Sequence, residues 1–205
     1  MILKTIAVIL FDYFETLDVF GPVEILGQLP QYKLEYFSLE GGIIKSSQNV
    51  KVETKSFDKI KEIEILLIPG GKGTRTLVSN HEFIKNISLL SKMSKYTLTV
   101  CTGSAILAKT GLLDNREATT NKKAFDWVCS QRKEVIWQEK ARWTNSDNYY
   151  TSSGVSAGID MALGFINDLY GKNLAVKIAE DIEYCWNNNK NDDIFSEYTE
   201  RVKII

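Results

Sequence analysis

Histidine is nearly absent: the 205-residue chain holds one, His81. It lies in Ser79-Asn80-His81-Glu82, at the start of a helix-like stretch, where it reads as a surface cap. A Cys–His dyad, a common way to activate a cysteine, therefore has little support. Cysteine is scarce as well, with Cys101, Cys129 and Cys185 only. An odd count without CxxC spacing argues against a disulfide framework and against a zinc or other metal site. It fits a reducing, cytoplasmic compartment. No apolar run is long enough to span a bilayer, so no membrane partner is expected. The chain opens on a strand pattern, Thr5 to Phe11, without the basic region and cleavage site of a signal peptide. Lys and Arg number 25 against 26 Asp and Glu, a formal net charge of -1. No basic surplus points to nucleic acid, and no block of like charge points to an interaction tail. There is no internal repeat.

What is present is an alternation of strands and helices. Ile6-Ala7-Val8-Ile9-Leu10-Phe11 is a continuous apolar run, the pattern of a strand covered on both faces. A helix follows around Pro22-Val23-Glu24-Ile25-Leu26, with Pro22 suited to its first turn. Lys33 to Leu39 reads as a strand, with two shorter ones near Ile43-Ile44 and Val50-Lys51-Val52. Glu64-Ile65-Leu66-Leu67-Ile68 is another buried strand, running into Pro69-Gly70-Gly71. Helices are expected at Thr74–Ser79, Glu82–Met93 and Lys122–Arg132. Further strands are expected at Val135–Trp137, Ala141–Thr144 and Tyr149–Thr151. Ile159, Ala162, Leu163 and Ile166 recur at helical spacing, and a last helix covers about Leu174 to Trp186. The pattern predicts an α/β sandwich with a mostly parallel central sheet flanked by helices. One domain over residues 1–205 is expected, with 44% hydrophobic residues to supply its core. A polar, solvated loop near 187–193 and a short C-terminal extension complete it.

Cys101 is the residue that asks for a chemical explanation. It ends the strand-like run Tyr96-Thr97-Leu98-Thr99-Val100, and Thr102-Gly103-Ser104 leads directly into the helix-like Ala105-Ile106-Leu107-Ala108. A nucleophile between strand and helix is an elbow: the turn aims the side chain into a pocket, and the helix N-terminus favours a thiolate. A buried, inert cysteine at a strand end is the plain alternative. Cys129 and Cys185 lie away from any such junction and read as core filling. Ligands of parallel sheets bind beyond the carboxyl ends of the strands, where Cys101, Gly70-Gly71 and the segment after Phe11 all fall.

Asp18, between the first strand and first helix, is either an N-cap or a pocket acid whose burial raises its pKa. Without a histidine base, a carboxylate must move protons for Cys101, and Asp18 is the leading candidate. Thr102 donates a hydrogen bond but cannot act as a base. The backbone N–H groups of Gly71 and Thr102 form an anion-stabilising pair, or else mark an ordinary turn and helix start. Glu24, further along the helix, is a polar contact or faces the pocket.

Taken in order, these segments resemble the ThiJ/PfpI superfamily. The resemblance rests on Leu17-Asp18-Val19-Phe20-Gly21-Pro22-Val23-Glu24, Leu67-Ile68-Pro69-Gly70-Gly71 and Val100-Cys101-Thr102-Gly103-Ser104. It continues through Leu112-Leu113-Asp114, Ala118-Thr119-Thr120 and Ser153-Gly154-Val155-Ser156-Ala157-Gly158-Ile159-Asp160 to Leu163. It implies a flavodoxin-like fold of the class I glutamine-amidotransferase type. Within the superfamily the chain looks most like the isonitrile hydratase subgroup and the N-terminal domains of AraC-type regulators. That likeness implies Cys101, Asp18 and Thr102 as catalytic residues. Gly70, Gly71 and Glu24 would line the substrate or oxyanion site. It further implies a small-molecule substrate, a homodimer, and no metal or organic cofactor. The implied reaction is hydration of an isonitrile to a formamide; the alternative is a non-enzymatic redox sensor or ligand-binding protein using the same cysteine.

Overall fold

The computed structural model describes residues 3–197; the end of the expected C-terminal extension lies outside them. In chain order the elements are β1 Lys4–Ile9, α1 Thr16–Leu26, β2 Tyr32–Ser38, β3 Gly42–Lys45, β4 Lys51–Ser56 and β5 Ile65–Ile68. There follow α2 Thr74–Leu77, α3 His81–Met93, β6 Tyr96–Val100, α4 Gly103–Lys109, β7 Glu117–Ala118 and α5 Phe125–Gln131. The last are β8 Ile136–Trp137, β9 Trp143–Ser146, β10 Tyr149–Ser152, α6 Ala157–Tyr170 and α7 Lys172–Asp181. An eight-stranded sheet runs in the order β3-β4-β2-β1-β5-β6-β10-β9, and β7 pairs with β8 in a separate ribbon. Every neighbour pair from β4 to β10 is parallel; only the edge pairs β3–β4 and β9–β10 are antiparallel. The expected α/β sandwich with a mostly parallel sheet is what forms.

The apolar runs explain the order. Ile6 to Ile9 and Ile65 to Ile68 have no solvent exposure at all, so β1 and β5 take the centre of the sheet, covered on both faces. The β2 and β4 strands alternate with exposed charges and sit towards an edge. Helix α6 buries nine residues, Met161, Leu163, Phe165 and Ile166 among them, and packs on α1, α7 and the sheet. Tyr96 and Tyr150 close edge-to-face on Phe165 from neighbouring strands.

Several boundaries differ from the sequence expectation. Pro22 lies inside α1, not in its first turn, because the helix begins at Thr16. Its ring nitrogen donates nothing to the Asp18 carbonyl one turn back. The segment 122–132 splits into a short 3-10 turn and α5, and α7 ends at Asp181 rather than near Trp186. The Asn-rich loop is not simply solvated. It folds back on the β9 edge: the Lys190 carbonyl accepts from the Arg142 N–H at 2.8 Å, and the Asp193 N–H donates to the Lys140 carbonyl at 2.7 Å. Asp193 is buried, and with Asp160 it flanks the buried Arg142 guanidinium, at 3.6 and 2.5 Å.

Candidate functional site

The carboxyl ends of β1, β5 and β6 meet at Cys101. Its φ is +56°, left-handed backbone that costs a non-glycine residue roughly 1–3 kcal/mol. Bonds on both sides enforce it. The Cys101 N–H donates to the carbonyls of Ser152 and Ser153 at 3.2 and 3.1 Å. Its own carbonyl accepts from the hydroxyls of Thr120 at 2.8 Å and Ser104 at 3.1 Å. The elbow expectation for the backbone is met.

Asp18 lies in the first turn of α1 but does not cap it, which removes the N-cap reading. Glu15 occupies the N-cap position, and Asp18 Oδ2 instead accepts the Gly70 N–H at 2.9 Å. Oδ1 is buried and, among the described residues, has no hydrogen-bond partner. Burial raises the carboxyl pKa to about 7; the Gly70 N–H pulls down against that, Glu15 adds to the rise, and the nearby Cys101 thiol lowers it a little. Close loop packing brings this about. A Cβ on Gly70 would lie 2.5 Å from the Thr102 nitrogen and 2.9 Å from Asp18 Oδ2, so only glycine lets the β5 loop reach both.

Three site expectations are corrected. Burial pushes the Cys101 thiol well above its ordinary pKa, and the Asp18 charge adds to it, so the resting group is a thiol rather than the thiolate the helix N-terminus was expected to favour. Desolvation outweighs the field of a helix only seven residues long. Secondly, the Gly71 N–H is already taken, donating to Thr102 Oγ1 at 3.1 Å. The backbone donors that face the sulfur are those of Thr102 and Val155. Thirdly, Glu24 is exposed on the outer face of α1, where it accepts from Gln28 Nε2 at 3.2 Å. Cys185 also departs from expectation, being exposed rather than core filling.

Sequence reasoning missed Val155, Thr74, Thr120 and Arg75. Val155 has φ +39°, an unusual conformation for a β-branched residue, and nothing in Ser153-Gly154-Val155 announces it. Thr74 Oγ1 donates to Thr102 Oγ1 at 3.0 Å and ties α2 to the elbow. Arg75, the next residue, stacks its guanidinium 3.4 Å from the centre of the Trp127 ring. Among the described residues no group of three or more His, Cys, Asp or Glu converges to hold a metal ion. No helix among them is long and apolar enough to cross a membrane.

A family model described as the DJ-1/PfpI family matches residues 4–168. The chain belongs to that family. Within it, the chain is 28% identical over 181 residues to an isonitrile hydratase of Pseudomonas putida, covering 88% of this chain and 78% of that protein. It is 26% identical over 200 residues to the transcriptional regulator GbdR of Pseudomonas aeruginosa, spanning 92% of this chain but only 53% of the regulator. A ThiJ/PfpI protein of Pseudomonas syringae superposes with a TM-score of 0.80 at 25% identity, over 89% of this chain and 75% of that one. Drosophila melanogaster DJ-1beta superposes with a TM-score of 0.77 at 18% identity, over 90% of this chain and all of that one, a likeness of fold. The ThiJ/PfpI resemblance read from the motifs is thereby met.

Proposed function

We propose that the protein is a cysteine-dependent hydratase of a small molecule, with isonitriles as its substrate class. The observation that carries this reading is the pair of buried groups: a thiol on strained backbone beside a carboxyl whose pKa of about 7 lets it both accept and give a proton near neutrality. The similarity to the isonitrile hydratase supports the choice of substrate.

In the first step Asp18 takes the Cys101 proton as sulfur attacks the terminal isonitrile carbon, and returns it to that same carbon. One S–H bond is lost, one C–S and one C–H bond form, and the product is a thioimidate bound to Cys101. Asp18 then draws one proton from water as the water oxygen adds to the thioimidate carbon, and passes that proton to nitrogen. On collapse the remaining hydroxyl proton moves through Asp18 to sulfur, the C–S bond breaks, and the N-substituted formamide and the Cys101 thiol are released. The N–H groups of Thr102 and Val155 support negative charge on sulfur during attack and departure. Thr102, which bridges Gly71 and Thr74 through its hydroxyl, holds the loop that carries Gly70 against Asp18.

A panel of isonitriles assayed for formamide release tests the reading. Cys101→Ala is expected to abolish turnover while retaining native circular dichroism. Turnover retained in that variant would end the proposal. The redox-sensor alternative needs a low-pKa thiol, and the buried, raised Cys101 does not favour it.

A further inference from the structure

Two elements anchored on the elbow meet outside it. Helix α2 is tied in through Thr74, which bonds Thr102 at 3.0 Å. The segment leading to α5 is tied in through Thr120, which bonds the Cys101 carbonyl at 2.8 Å. Arg75 of α2 and Trp127 of α5 then close on each other, guanidinium on indole, at 3.4 Å. The ion pairs among the described residues do not engage Arg75. Stacking fixes the guanidinium plane and leaves its N–H edge directed sideways, the geometry that takes a carboxylate by two parallel hydrogen bonds. Partial burial lowers the guanidinium pKa and a Cys101 thiolate, once formed, raises it, so the two groups lie within electrostatic reach.

We propose that Arg75, held on Trp127, is a specificity residue that binds a carboxylate on the substrate beside the carbon attacked by Cys101. This rests on the reading of Cys101 as the nucleophile. The charge of the site calls for such a cation: once Asp18 ionises, an anionic small molecule meets a buried negative charge, and Arg75 is the fixed positive charge that offsets it. The substrates singled out are small isonitriles bearing a carboxylate, rather than neutral hydrocarbon ones.

Iodoacetate and iodoacetamide, alike in size and leaving group and different in charge, provide a test that needs no turnover. Alkylation of Cys101 by each is followed by peptide mass spectrometry in the wild-type chain, Arg75→Gln and Arg75→Lys. The iodoacetate-to-iodoacetamide rate ratio is expected to fall roughly three-fold or more in Arg75→Gln, the scale of a partly exposed charge pair, and to recover only in part in Arg75→Lys, which keeps the charge and loses the two-pronged donor edge. Slowing of both reagents with an unchanged ratio means that the guanidinium acts on the sulfur, and overturns the proposal. So does a Cys101 that neither reagent reaches after Cys185 is fully modified. A second arm compares KM for isocyanoacetate and its methyl ester, with a preference for the anion that is lost in Arg75→Gln. Equal KM values in the wild type overturn the carboxylate site and leave the hydratase standing. No turnover of either compound, with the alkylation preference present, removes the hydratase reading and leaves the carboxylate site.

Discussion

Replacing Asp18 by Asn separates stability from function at one atom. The carboxyl is fully buried, Oδ2 accepts one N–H, and Oδ1 has no partner among the described residues, so ionisation in the folded state is costly. Its pKa is about 7 when folded, against an ordinary value near 3.8. The folded protein therefore holds this proton more tightly than the unfolded chain. Below about pH 4 the group is protonated in both states and contributes no difference. As pH rises from there through 7, the unfolded state gains more from ionisation and stability falls. At about 1.36 kcal/mol per pKa unit the full penalty is roughly 4 kcal/mol, of which about 2–3 kcal/mol develops between pH 5 and 8. An Asn amide keeps the shape, can accept the Gly70 N–H through its oxygen, and never ionises. Urea unfolding of both proteins at pH 5 and pH 8 provides the assay. With a slope of roughly 2 kcal/mol/M, the midpoint of Asp18→Asn should move up relative to wild type by about 1 M more at pH 8 than at pH 5. Activity should fall roughly 100-fold or more, the scale of lost acid–base catalysis. Parallel pH dependence of the two midpoints would refute the reasoning, because it would mean that Asp18 is not an ionisable group held against its preference.

Gly70→Ala should cost several-fold or more in activity and roughly 1–3 kcal/mol in stability, read by thermal unfolding, since its Cβ would lie 2.5 Å from the Thr102 nitrogen. Thiol labelling with a maleimide at pH 7.5 should modify the exposed Cys185 first and Cys101 much later, because Cys101 is buried and its thiol pushed up; Cys101 reacting first would show that the pocket stabilises a thiolate after all. Lys122, buried with its Nζ donating to Thr119 Oγ1 and the Ala141 carbonyl, has its pKa lowered to about 8 by desolvation. Its folded value lies below its unfolded one, so this residue makes the fold more stable as pH rises from about 8 towards 10.5, by roughly 3 kcal/mol in full. The pH 8 to 9.5 slope of wild type minus Lys122→Met, by urea unfolding, measures that contribution, and a flat difference contradicts it.

The strand cores were legible because complete burial leaves one signature. Ile6 to Ile9 and Ile65 to Ile68 read as uninterrupted apolar runs, and the centre of a parallel sheet is where such runs belong. The elbow was legible for a related reason: Thr102-Gly103-Ser104 between an apolar strand and an apolar helix leaves Cys101 only a sharp turn to occupy, and its φ is +56°. The backbone demand of a tight turn is local, so local sequence records it. The protonation state of Cys101 was not legible. It depends on how much water the folded chain removes and on the Asp18 charge brought in from 83 residues away, and there desolvation defeats the helix field. Nor could sequence decide which N–H groups stay free. Whether Gly71 donates to a ligand or to Thr102 depends on the distance between two loops. The same holds for Asp193, which sits in an Asn-rich stretch that reads as solvated yet is buried against Arg142. Local preference and hydrophobic pattern are written residue by residue; dielectric surroundings and long-range hydrogen-bond partners exist only once the chain has closed on itself.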